Sequence, residues 1–282
     1  MLTGFKIAIL SIFCTFPLMK KLLLIIAFIC WKTTAAQELE IPVKLLSNSK
    51  TVTQRYVGID AFGWEYTIAD NEFRKQKDRQ ILKYRSVSLG EIYKADVQNP
   101  LQIVLFYRKF NTVVLLDNQL NETSRINFSE LQQPLIIEAA GLSSRNRLWL
   151  YDITSQQLGL YDLATGSFKT ITPPFNDTIK YYQNDYNYFY WVDSHNNAYM
   201  ANIFGKVGSL GTVPDFDRVQ ILSGNELIFE KDNKLFFYNL EKQTQTPITI
   251  AEKSLRNFHY AAQILTIFTD SEINTYKITL PK

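Results

Sequence analysis

From Gln37 to the C-terminus, apolar residues come in short alternating or clustered runs broken by Asn, Asp, Gly, Ser and Pro. No stretch keeps the 3.6-residue stripe of an amphipathic helix, and the pattern predicts a chain made of short strands. The clearest unit reads strand–turn–strand–turn–strand: Asn146–Asp152, Gln157–Leu163 and Phe168–Ile171. A second copy runs through Asn187–Asp193, Asn197–Ile203 and Val207–Leu210. A third runs through Asn225–Glu230, Lys234–Leu240 and Thr246–Ile250. Weaker copies flank them, upstream from Trp64 and from Leu101, downstream from Gln263.

Aligned on the third strand, the copies have anchors at Gln76, Asp117, Asp162, Asn202, Asn239 and Lys277, a spacing near 40 residues. That period, with an added inner strand per copy, predicts the blades of a β-propeller. Leu135–Glu138, Ile179–Tyr182 and Val219–Leu222 fit the inner position. The expected fold class is all-β, a six-bladed propeller, with a seven-bladed ring or a twisted β-sandwich as alternatives. The last copy ends without an outer strand, and Leu39–Leu46 alternates without a partner. The N-terminal strand is therefore expected to close the last blade, which removes an exposed sheet edge.

Residues 1–36 read differently. Lys20 and Lys21 precede the apolar run Leu22–Trp31, and Thr34 and Ala36 suit a signal-peptidase site before Gln37. This is the form of a secretory signal peptide, with Met19 a plausible true start. The run is too short to span a bilayer by itself, which needs about 20 residues. The residues before Cys30 lack the small side chain that precedes a lipidated cysteine. The mature chain, 37–282, is expected to be one propeller domain without a transmembrane span. The leader holds both cysteines and four lysines but no acid, so the mature part carries 26 basic residues against 27 acidic ones. Thiol chemistry is excluded there, and no basic footprint for nucleic acid is expected.

Candidate chemistry is sparse. His195 falls in a predicted turn and His259 in a predicted inner strand. Neither has a second His or a Cys nearby, so no metal site or cofactor is expected. Asp70, Asp193, Asp232 and Asp270 recur at one place in the repeat, each followed by Asn or Ser, and read as turn residues. Asp215 and Asp217 offer too few oxygens for a calcium loop. Gly205, Gly208 and Gly211 precede no helix and so cradle no phosphate. Asp60, Asp96 and Asp185 are the carboxylates to suspect if the chain hydrolyses a glycan. The densest local feature is aromatic, and Tyr181, Tyr186, Tyr188 and Tyr190 are the candidate binding residues. Trp64, Trp149 and Trp191 are assigned to equivalent second strands and to packing. Asn121, Asn127 and Asn176 head glycosylation sequons, which matter only in a eukaryotic secretory pathway.

Val57–Trp64, Leu105–Tyr107, Asn111–Asn118, Asn146–Tyr151 and Tyr188–Trp191 together resemble a family of uncharacterised exported propeller-like proteins of Bacteroidota. The resemblance covers the mature chain and implies a periplasmic or outer-membrane-associated location in a Gram-negative cell. It brings no activity and no site residues. The expected function is a non-enzymatic scaffold or interaction module of the envelope that binds a protein partner through propeller loops or the channel face. A glycan-active hydrolase or lyase is the alternative.

Overall fold

A computed structural model describes residues 40–50 and 55–281. The signal-peptide reading of residues 1–36 lies outside the described residues. The first described strand, β1 (Ile41–Lys50), precedes five sets of four and one of three. The first set is β2 (Arg55–Ile59), β3 (Glu65–Ala69), β4 (Glu72–Lys77) and β5 (Gln80–Tyr84). The second is β6 (Lys94–Asp96), β7 (Ile103–Tyr107), β8 (Thr112–Leu116) and β9 (Glu122–Asn127). The third is β10 (Ile137–Ser143), β11 (Arg147–Asp152), β12 (Gln157–Asp162) and β13 (Ser167–Thr170). The fourth is β14 (Ile179–Asn184), β15 (Tyr188–Asp193), β16 (Asn197–Asn202) and β17 (Val207–Thr212). The fifth is β18 (Arg218–Ile221), β19 (Glu226–Lys231), β20 (Lys234–Asn239) and β21 (Thr244–Thr249). The sixth is β22 (Asn257–Ala261), β23 (Ile264–Phe268) and β24 (Glu272–Ile278).

Each set is an antiparallel meander, and these are the blades of a β-propeller. Strand β1 supplies the missing fourth strand of blade 6. It pairs antiparallel with β24 from Val43↔Ile278 to Lys50↔Glu272. Its first two residues also pair parallel with β21, Ile41↔Ile248 and Pro42↔Thr249. The N-terminal strand closes the last blade, as its lack of a partner in sequence predicts.

The core lies between blades rather than within them. One cluster of buried apolar residues fills each of the six interfaces among the described residues. Alternation explains this: in β15, Phe189 and Trp191 are buried while Tyr188 and Tyr190 are half-exposed. The interface between blades 6 and 1 has the smallest cluster, Tyr56, Phe268 and Ile273, with the first two rings stacked 3.7 Å apart.

The hairpin turns carry the aspartates as expected at three of four places. Asp70–Asn71 and Asp232–Asn233 have φ of 51° and 62°, and 52° and 61°, the positive pair of a two-residue hairpin. Asp193 accepts from the Asn197 and His195 amides, each at 2.8 Å. At the fourth, Thr269 Oγ1 accepts from the Glu272 amide at 3.0 Å, and Asp270 instead pairs with Arg256. Two further expectations shift. The inner strand of blade 3 is Ile137–Ser143, later than Leu135–Glu138, and Trp64 precedes β3 rather than lying in it.

Candidate functional site

Inner strands leave one backbone edge facing the propeller axis, and buried N–H and C=O groups need partners. Side chains from neighbouring blades provide them around the whole ring. Arg55 donates to the Ile92 and Tyr93 carbonyls. Gln98 Nε2 reaches Leu142 O at 2.8 Å. Asn184 Nδ2 reaches the same carbonyl at 3.1 Å. Gln183 both donates to Ile221 O and accepts from Ile221 N. Gln220 treats Tyr260 in the same two-bonded way. Asn257 donates to Tyr56 O at 3.2 Å and completes the circuit.

The inner edge of blade 3 is sealed at Ala140 and Leu142. Its strand carries Ala139, Ala140 and Gly141, small enough for side chains from blades 2 and 4 to meet in front of it. Tyr182 Oη bonds both Ala140 N and Ala140 O. Asp96 Oδ2 accepts from Leu142 N at 2.8 Å and from Asn184 Nδ2 at 2.7 Å. Lys94 Nζ donates to Tyr182 O and lies 3.5 Å from the Tyr182 ring centroid.

The remaining channel is therefore off-centre, walled by the inner strands of blades 1, 2, 4, 5 and 6. It encloses a cavity of about 1100 Å³. All inner strands run in the same sense between the two faces of the ring. Their ends share one mouth with the loops after β2 and β6, where Asp60, Phe62 and Pro100 line the opening. Large apolar side chains stand exposed at this end: Ile59, Phe62 (68%), Leu101 (70%) and Tyr186.

Of the four candidate tyrosines, the structure brings two to the channel. Tyr181 lines the wall, its hydroxyl bonded to Gln183 and pushed to a higher pKa by burial. Tyr186 sits at the rim, its hydroxyl 3.3 Å from Gln98 O. Tyr188 and Tyr190 lie on β15, behind the inner strand, with ring centroids 6.0 Å apart. Burial and Asp185 push the Tyr190 hydroxyl up to about 12.

The three suspect carboxylates are all engaged in holding the fold. Asp60 accepts from the Phe62 and Trp64 amides and from Tyr66 Oη. Asp185 accepts from the Asn187 and Tyr188 amides at 2.7 and 2.8 Å. Asp96 ties blades 2, 3 and 4 together as described. His259 does line the cavity, where burial lowers its pKa, and it packs edge-on to Tyr56 at 6.3 Å. Among the described residues none hydrogen-bonds a ring nitrogen of His259, the contact that orients a triad histidine. Asp193 and His195, at the turn between β15 and β16, cluster within 4.8 Å with Asp177 from the segment before β14, whose carboxylate lies 3.2 Å from His195 Nδ1. Asp193 spends both oxygens there on His195 N, Asn197 N and Asn197 Nδ2, the bonds of a turn residue.

No family model matches this chain, and no curated protein sequence does. Solved structures do resemble it. The β-propeller domain of Cps50 (Swd1) from Myceliophteria thermophila superposes with a TM-score of 0.56 at 10% identity, over 84% of this chain and 100% of that one. A DUF4221 family member from Bacteroides vulgatus gives 0.54 at 9% identity, over 86% and 99%. Virginiamycin B lyase from Staphylococcus aureus gives 0.55 at 12% identity, over 79% and 80%. At these identities the likeness establishes the propeller fold.

Proposed function

We propose that this protein is an exported, non-enzymatic interaction module of the bacterial envelope, and that it binds a protein partner through the face formed by the loops after β2, β6 and β14. The observation that carries the reading is the apolar rim of Ile59, Phe62, Leu101 and Tyr186 at that mouth. Exposed aromatic and aliphatic side chains grouped beside a rigid scaffold are what interface centres use. The leader-like segment 1–36 supports export, and the resemblance to exported Bacteroidota proteins supports the envelope. WD40 propellers such as that of Doa1 share the architecture. The hydrolase or lyase alternative loses its acids, because Asp60, Asp96 and Asp185 already hold backbone amides.

Photo-crosslinking in cells tests this. A crosslinking amino acid at Phe62 or Leu101 should give one discrete adduct, and the same group at Ile81, exposed on the outermost strand β5, should not. No adduct from either rim position, or equal adducts from Ile81, contradicts the proposal.

A further inference from the structure

The opposite mouth has a different chemistry. There the inner strands begin, and in five of six blades they begin with a cation. Arg55 opens β2, Lys94 opens β6, Lys180 is the second residue of β14, Arg218 opens β18, and Arg256 immediately precedes β22. All five line the cavity. Blade 3 is the exception: its second residue, Glu138, faces away to pair with Arg108. Residues 37–282 hold slightly more acids than bases, yet five basic side chains gather at one opening, with Asp217 the acid among its lining.

Three of these cations have carboxylate partners. Lys180 pairs with Asp215 at 3.3 Å, Arg218 with Glu230 at 2.8 Å, and Arg256 with Asp270. Arg55 and Lys94 make no ion pair among the described residues. Arg55 spends two of its five donors on carbonyls, and Lys94 rests on a carbonyl and a ring. Asp96, the acid nearest Lys94 along the strand, is held by Leu142 N, Asn184 and Gln98.

We propose that this mouth binds a compact polyanion bearing carboxylate or phosphate groups, with Arg55 and Lys94 as its principal charge contacts. Arg55 feels Glu91 and Lys94 feels Asp96, but neither acid is within ion-pair distance, and an arriving anion offsets the cost of withdrawing the two cations from water. A guanidinium keeps donors free for bidentate contact with a carboxylate or phosphate. Low-dielectric walls around like charges focus the field on the opening. The cavity volume suits a small molecule, for which sites of roughly 300–1,000 Å³ are usual. Tyr56, Tyr181 and Phe216 add apolar wall on which the uncharged part of such a ligand can rest. Burial lowers the pKa of both Arg55 and Lys94, opposed by the longer-range pull of Glu91 on Arg55 and of Asp96 on Lys94. The site is distinct from the apolar rim, so either can fail without the other.

Isothermal titration of the full mature chain with citrate and with inorganic pyrophosphate, and with glucose as the neutral control, tests the proposal. One or both anions should bind at one site, weaken sharply with added salt, and be unaccompanied by glucose. Citrate alone marks a carboxylate ligand, and pyrophosphate alone a phosphate ligand. Arg55→Gln and Lys94→Met should each weaken binding at least about tenfold. Arg79→Gln, on an exposed outer turn, should leave it unchanged. Should either inner variant fail to fold by circular dichroism, Arg256→Gln, whose side chain is well exposed on the same ring, should still lower affinity several-fold. No binding of either anion at millimolar concentration, or binding indifferent to these substitutions, overturns the proposal.

Discussion

Gly141→Ala probes the seal over blade 3. A Cβ built on Gly141 overlaps the Asn184 amide group, 2.6 Å from its nitrogen and closer to its oxygen. The backbone at Gly141 is ordinary extended strand, so the strain is borne by Asn184, whose side chain must leave. It then gives up a charge-assisted bond to Asp96 (2.7 Å) and a neutral bond to Leu142 O (3.1 Å). Bonds of these kinds contribute about 1.5–3 and 0.5–1.5 kcal/mol, so the loss is about 2–4 kcal/mol. For a domain of 150–250 residues each kcal/mol moves Tm by about 2–4 °C, and the expected drop is about 5–15 °C. Thermal unfolding followed by circular dichroism reads it. Asn184→Ala should destabilise by a similar amount, and the double variant by little more than either, because both remove one interaction. A Gly141→Ala protein melting within about 2 °C of wild type would refute the reasoning.

Three further outcomes follow from the same geometry. Burial drives the Lys94 amine from 10.5 down to about 7, against the pull of Asp96; folding above pH 7 therefore removes a proton that the unfolded chain keeps, so the penalty is full at and below pH 7 and vanishes near 10.5. Lys94→Met should raise Tm over wild type at pH 6–7, with the gap closing as pH approaches 10.5, and a pH-independent gap contradicts this. Ile41, 3% exposed where β1 meets β21, should cost about 2–5 kcal/mol as Ile41→Ala, whereas exposed Ser47→Ala on the same strand should stay within about 0.5 kcal/mol in denaturant melts. Gly205 has φ of 83° and its added Cβ would strike the Ile171 carbonyl, while Gly208 has only Met200 Cγ at 3.9 Å; soluble yield and Tm should fall far more for Gly205→Ala than for Gly208→Ala.

Much of the fold is legible along the chain because the second and third strands of each blade are apolar and joined by Asx-rich turns. All six anchors fall in, or one residue past, the third strand, and β1 occupies its expected place. The inner strands are harder to read because one side of each faces the channel and mixes polar with apolar residues. Strand β6 is only Lys94–Asp96, too short to show any period. In blade 3 the apolar Leu135–Ile137 draws the eye, while the true strand is built on Ala139, Ala140 and Gly141, chosen for room rather than for hydrophobicity. A turn made by Ala262 and Gln263, with φ of 49° and 65°, carries no Asn, Asp or Gly to signal it. The basic ring is only partly visible: aligned on third strands, Arg55, Arg218 and Arg256 each fall 21 residues before their anchors, whereas Lys180 and Lys94 fall 22 and 23 before theirs. The net charge of residues 37–282 conceals it as well, since acids cancel the bases in number although, among the described residues, Arg55 and Lys94 have none within ion-pair distance.

Diffraction from crystals of residues 37–282 grown in sodium bromide tests most directly whether the channel is open and its basic mouth binds anions. An anomalous bromide peak against Arg55 or Lys94, in an open channel walled by blades 1, 2, 4, 5 and 6, is the predicted result. A channel filled by side chains, or an open one whose basic mouth attracts no bromide while ions occupy other surfaces, would contradict it.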